Sequence, residues 1–298
     1  MCVTCGCSDD AETKITNPET GEVVAINSNL HHHTHTHTLA DGTAITHSHS
    51  HASSHSHSHE HHSDRATEVA QIHAKMHGNT VTLEENILAK NDLIAAQNRG
   101  WFKGRNILAL NLVSSPGSGK TTLLTRTIND LKEKFPIYVI EGDQETSNDA
   151  KKIQETGCKV VQINTGTGCH LEAAMVERGL QQLNPPLNSI VMIENVGNLV
   201  CPALFDLGEK AKVAILSVTE GEDKPIKYPH MFRASEVMII TKIDLLPYVQ
   251  FDVNLAIEYA KQVNPKMQIF QVSATTGVGL ESWYEWIAVN LPSLAVQI

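Results

Sequence analysis

The sequence has no excess of basic charge. It sets 23 Lys and Arg against 33 Asp and Glu in 298 residues, a formal net charge of −10. A polyanion partner requires a basic stripe that displaces counterions, so nucleic acid is disfavoured as a ligand. No apolar run approaches the roughly 20 residues of a membrane span, and the N-terminus lacks the apolar core of a signal peptide. We therefore expect no membrane partner and a cytoplasmic location. In a reducing compartment the six cysteines read as thiols, and clustered thiols point to metal or catalysis rather than to disulfides. The length suffices for one large domain or two small ones.

What the chain does have is a phosphate-binding loop. Residues 107–122 read ILALNLVSSPGSGKTT, an apolar strand, a loop of small residues, then Lys120, Thr121 and Thr122 opening a helix. Backbone N–H groups of Gly117, Ser118 and Gly119 can face phosphate, Lys120 neutralises its charge, and the Thr121 hydroxyl suits Mg²⁺. Ser114 stands where the pattern G-x-x-x-x-G-K-[ST] has its first Gly, which requires a negative φ there.

Two N-terminal segments have metal-binding chemistry. Cys2, Cys5 and Cys7 form C-x-x-C-x-C. Three nearby thiolates and the α-amine suit Ni²⁺, Zn²⁺ or Cu⁺, and these residues leave the metal open. Residues 31–62 alternate His with Thr or Ser, have little apolar surface to bury, and are predicted to be disordered, forming a many-site metal reservoir. Between these segments, residues 8–30 read equally as a weak hairpin or a spacer. Thr82-Leu83-Glu84-Glu85 has capping-box form, predicting a helix from there to Gly100. The expected division is a metal-binding region over 1–63, a helical lead-in over 64–100 and a nucleotide domain over 101–298.

Downstream, apolar runs at 137–140, 159–163, 189–194, 212–218, 236–241 and 268–272 predict six more strands. The fold class is thus α/β, a three-layer P-loop NTPase with a mainly parallel sheet of roughly seven strands. Asp143, just past the second strand, can hold Mg²⁺ through water or orient the attacking water. Asp149 reads equally as a helix cap. Glu194 followed by Asn195-Val196-Gly197 has the layout of a Walker B strand and a γ-phosphate-sensing loop. Cys169, His170 and Cys201 make a Cys₂His set able to hold one cation, with a position left for water or a second chain. In Thr241-Lys242-Ile243-Asp244, the Asp244 carboxylate can accept from guanine N1–H and N2–H₂ while the Lys242 stem covers the base. Thr241 replaces the usual Asn. Near Ser273 and Ala274 a backbone N–H can meet guanine O6. Trp283, Tyr284 and Ile287 share one face of a closing helix.

SPGSGKTT, GDQETSNDA, GTGCHLEA, ENVGNLVCP and TKID, in this order behind the Cys cluster and the His-rich run, closely resemble the HypB family of nickel-incorporation GTPases. The resemblance covers 64–298 and the first seven residues. It implies a SIMIBI-class GTPase that dimerises with GTP and passes nickel to the [NiFe]-hydrogenase large subunit with a HypA-type chaperone. It also implies a tight nickel site at Cys2, Cys5 and Cys7, a nickel or zinc site at Cys169, His170 and Cys201, and GTP/GDP bound with Mg²⁺. Lys120, Asp143 and Glu194 would serve hydrolysis, and Lys242 and Asp244 guanine selection. A metal-storage protein with a vestigial nucleotide domain, or a carrier for another nickel or cobalt enzyme, are the rival readings.

Overall fold

The computed structural model describes residues 14–16, 23–25, 32–38, 44–50, 65–144 and 148–292. Cys2, Cys5 and Cys7 lie outside the described residues. The chain forms two compact units, one of Met1–Ala25 with Thr82–Ile298 and one of Ile26–Val81.

The larger unit contains strands β1 (Lys14–Thr16) and β2 (Val23–Ala25). The smaller contains β3 (His32–Thr38) and β4 (Ala44–Ser50), followed by a helix, α1 (Arg65–Gly104), whose second half belongs to the larger unit. Alternation of strand and helix then gives β5 (Leu108–Ser114), α2 (Lys120–Leu131), β6 (Ile137–Asp143), α3 (Asn148–Gln154), β7 (Lys159–Asn164), α4 (Ala173–Leu183) and β8 (Ile190–Gly197). After a 3₁₀ turn at Cys201–Ala203 come β9 (Ala211–Ser217), the short helices α5 (Lys224–Lys227) and α6 (Pro229–Arg233), and β10 (Val237–Thr241). A second 3₁₀ turn (Ile243–Tyr248) leads to α7 (Val253–Val263), β11 (Gln268–Gln271) and α8 (Leu280–Asn290).

The main sheet has the order β11-β10-β9-β5-β8-β6-β7-β1-β2. Its seven strands from β11 to β7 are parallel, as the seven apolar runs predict, while β1 and β2 extend the β7 edge antiparallel. The near-continuous burial of β5, β8 and β9 is what a parallel strand covered on both faces requires. One face packs Leu108, Leu110, Met192 and Ile239 against α2, α3 and α8, including Trp283 and Ile287. Part of the other packs Ala214, Leu216, Met238 and Ile240 against Met231 and Phe232 of α6 and Ala256 and Ala260 of α7. Gly179 of α4 lets that helix approach Ile140 and Ile163 closely.

Two expectations need correction. Thr82-Leu83-Glu84-Glu85 does not begin a helix, because α1 is continuous from Arg65 to Gly104. A capping pattern sets a terminus only where the preceding residues cannot themselves be helical. The His-rich run is not wholly without structure, since β3 and β4 pair antiparallel with His33 opposite His49 and His35 opposite His47. Frequent Thr and period-2 alternation favour strands despite the polar composition.

Candidate functional site

The nucleotide-binding groups converge at the carboxyl ends of the parallel strands, where ligands bind in open α/β sheets. Gly117 (φ 74°) and Gly119 (φ 90°) carry the left-handed backbone of the loop. Ser114 is the buried last residue of β5, outside the left-handed region, and its hydroxyl donates to Ser115 O at 2.8 Å. That position therefore needs no glycine. Thr122 is exposed at the start of α2, and Thr125 Oγ1 donates to its carbonyl.

Lys120 and Thr121 both reach Glu194. Thr121 Oγ1 donates to Glu194 Oε1 at 2.7 Å, and Lys120 Nζ lies 3.4 Å from the same oxygen. The other oxygen, Oε2, is buried without a hydrogen-bond partner. Burial pushes the Glu194 carboxyl up, opposed by Lys120 and Thr121. Parallel pairing of β6 with β8 sets Glu141 beside Glu194 in register. Glu141 is 2% exposed, and its carboxyl is pushed up to about 9 by burial and by the charges of Glu194 and Asp143. The sequence reading missed Glu141; the only signal was an acid inside an apolar strand. Asp143 ends the same strand, half-buried. Asp149, in the first turn of α3, pairs with Lys152 at 2.8 Å. Lys224, also unforeseen, donates to Ser115 Oγ at 3.1 Å beside the loop.

The segment Thr241-Lys242-Ile243-Asp244 is braced against the same loop. Thr241 Oγ1 donates to Ser118 O at 2.7 Å and Lys242 Nζ to Gly117 O at 2.7 Å. Thr241 thus supplies a tie between strand end and loop despite replacing Asn. Lys242 adopts φ 61°, an uncommon left-handed conformation for a side-chain residue, and Asp244 follows in the 3₁₀ turn, half-buried. Ser273 N–H donates to Val278 O at 2.9 Å, while Arg126 donates to Ala274 O at 3.1 Å. The Ser273 amide is therefore committed within its own turn.

Cys169, His170 and Cys201 come together although 31 residues separate the last two. Their ligand atoms lie within 4.8 Å of one another, and Cys169 Sγ is 3.8 Å from His170 Nδ1. Tetrahedral bonds of about 2.3 Å to sulfur and 2.0–2.1 Å to nitrogen set neighbouring ligands about 3.6 Å apart, so the trio fits one cation after small closure. Burial lowers the His170 imidazole to about 4, which keeps it neutral and able to ligate at neutral pH. Its Nε2 is buried without a hydrogen-bond partner, 3.9 Å from Glu172 Oε1, and its ring stacks on Phe205 at 3.9 Å between centroids. Beside Cys201, Val200 and Leu204 expose apolar side chains. Among the described residues no helix is long and apolar enough to cross a membrane.

The nucleotide-binding domain of CobW/HypB/UreG matches residues 108–271. The hydrogenase maturation factor HypB of Rhizobium leguminosarum bv. viciae is 56% identical over 217 residues, 73% of this chain and 73% of that protein. HypB of Escherichia coli (strain K12) is 57% identical over 205 residues, 69% of this chain and 71% of its own. The crystal structure of HypB from Archaeoglobus fulgidus aligns with a TM-score of 0.64 at 36% identity, covering 68% of this chain and 100% of that one. That of HypB from Helicobacter pylori in complex with nickel aligns at 0.63 and 37%, covering 69% and 98%. With its phosphate-loop motif, buried Glu194 and Cys-His-Cys cluster on one domain, the chain belongs to the CobW/HypB/UreG nucleotide-binding family, among the hydrogenase maturation factors of the HypB type.

Proposed function

We propose that this chain is a slow, regulatory GTPase that stores nickel and delivers it to the [NiFe]-hydrogenase large subunit. The observation that carries this reading is that one stretch holds both chemistries: Glu194 touches Lys120 and Thr121, and Cys201 joins Cys169 and His170 seven residues later. A change at the phosphate can therefore reach a metal ligand along a short segment.

Water attacks the γ-phosphate and gives GDP and phosphate. Lys120 and the loop amides offset the charge of the phosphate oxygens, and Asp143 and Glu194 orient the water. Thr121 and Glu194, whose second carboxylate oxygen is buried without a hydrogen-bond partner, would hold Mg²⁺, which would supply further charge neutralisation at the phosphates. Asp143 would complete its oxygen ligands. Asp244 selects guanine, with Lys242 over the base and the Ala274 amide toward O6, since the Ser273 amide is already used.

Nickel is the cargo, and the Helicobacter pylori relative in complex with nickel supports that assignment, with zinc as the competing ion at the same three ligands. Three protein ligands leave a position for a second chain. Exposed Val200 and Leu204 around buried Cys201 support a homodimer closing over the metal in the GTP form. A HypA-type chaperone and the hydrogenase large subunit are the partners this role requires. Cys2, Cys5 and Cys7 are the proposed tight nickel site, and the His-rich run the reservoir, of a metal-binding region over 1–63, joined by a helical lead-in over 64–100 to the nucleotide domain at 101–298.

Dimerisation in a GTP analogue, measured with and without Ni²⁺ for the wild type, Cys169→Ala and Cys201→Ala, tests the reading. We expect metal-dependent dimers only in the wild type. Equal Ni²⁺ affinity of the GDP and GTP-analogue forms, read by competition with a chelator, would overturn coupling.

A further inference from the structure

Neither loop carrying the metal trio lies within a long helix or strand, yet both are fixed from beneath by buried polar side chains. Lys212 on β9, its side chain 6% exposed, donates from Nζ to Pro202 O at 2.7 Å and to Phe205 O at 3.2 Å. Pro202 directly follows Cys201, and Phe205 is the ring stacked on His170. One amine thus holds the backbone behind one ligand and the ring against another.

The chain of contacts continues from there. Glu209 lies 3.9 Å from Lys212 Nζ, and accepts from Leu207 N–H at 2.7 Å and from Asn111 Nδ2 at 3.0 Å. Asn111, fully buried on the strand that leads into the phosphate loop, accepts from Asn195 Nδ2 at 3.2 Å. Asn195 adjoins Glu194, and its Oδ1 accepts from Leu171 N–H, next to His170, at 3.1 Å. Polar contacts therefore run from behind His170 to behind Cys201 across the neighbouring strands β8, β5 and β9. Burying an amine and a carboxylate is expensive, and apolar residues of the same size usually stabilise a core as well or better. What such a pair supplies here is fixed geometry.

We propose that Lys212, Glu209 and Asn111 are positioning residues of the metal centre, holding Cys201 and the His170–Phe205 stack at ligating distance and tying that geometry through Asn195 to the strand that carries Glu194. This rests on the reading of Cys169, His170 and Cys201 as ligands. Outer partners of this kind change metal affinity by about 10- to 100-fold when lost.

The test uses the full chain with Cys2, Cys5 and Cys7 changed to Ser. Thiolate-to-nickel charge-transfer absorption then reports Cys169 and Cys201, because Cys158 is buried with its thiol pushed up to about 12 and imidazoles give no such band. Lys212→Met with Glu209→Gln removes both charges together, which avoids stranding one of them. Expected is a weakened, shifted band and about 10- to 100-fold lower Ni²⁺ affinity in a chelator competition read on that band, with GDP affinity unchanged. A band and affinity equal to the parent, in protein that still binds GDP, overturns the proposal. If the double variant loses GDP binding, Asn111→Leu decides on the same readouts: a weaker band supports the proposal and an unchanged one overturns it. Persistence of the parent band after Cys169→Ser and Cys201→Ser would instead defeat the ligand reading itself.

Discussion

Glu141 and Lys120 show how single side chains in this site are set by their neighbours. In the folded chain Glu141 holds its proton up to about 9, against an ordinary carboxylate value of 4.5. Between those values the folded state binds a proton that the unfolded state has released, so stability is present below the lower value and is lost as pH rises toward the upper. The metal- and nucleotide-free protein should therefore lose thermal stability between about pH 6 and 8.5, and Glu141→Gln should flatten that slope. Identical slopes for the two proteins would contradict this environment for Glu141. Lys120→Ala should leave the fold intact while lowering GTP turnover by roughly 10²- to 10³-fold, the usual cost of removing one preorganised group facing transition-state charge. A steady-state phosphate-release assay checks it.

Among elements, α1 has an unexpected role. Asn91 Oδ1 accepts the N–H of Ala173, the first residue of α4, at 2.8 Å, and so caps that helix from another part of the chain. Asn98 Nδ2 donates to Ala173 O at 2.9 Å and to Leu207 O at 3.1 Å, joining the segments that follow His170 and Cys201. Gly208 (φ 89°) packs so closely on α1 that a Cβ would lie 2.5 Å from Ala95 O. Asn91→Ala leaves a buried N–H unpaired and should cost about 1–3 kcal/mol, measurable by urea unfolding. A change below about 0.5 kcal/mol, the scale of a neutral surface substitution, would mean that Asn91 does not hold α4. The sequence predicts a helix over 82–100, within α1, but not this clamp. Its Asn residues lack a motif, and their partners lie 75 to 115 residues away.

At the scale of the whole molecule, the His-rich run and the nucleotide domain should separate by pH. Imidazoles near their reference value of about 6.5 lose metal affinity on protonation, so Ni²⁺ stoichiometry should fall between about pH 7.5 and 5.5. Deleting residues 31–62 should abolish most of that fall, and an unchanged titration would remove the run from the reservoir role. His170, lowered to about 4 by burial, stays neutral across this range and is not the source of the change.

The sequence by itself determined the phosphate loop, the seven parallel strands, and which residues are candidates for base recognition and for holding a metal. These follow from short-range patterns: apolar runs, glycines at a strand-to-helix turn, and rare pairs such as Cys169-His170. Tertiary structure alone decided that Glu141 faces Glu194, that Ser114 needs no left-handed backbone, and that Thr241 braces Ser118. It also decided that Lys212 stands behind Cys201. Each depends on strand order and register, which bring together residues far apart in the chain. A buried polar side chain gains its meaning from the partner that satisfies it, and no local pattern names that partner.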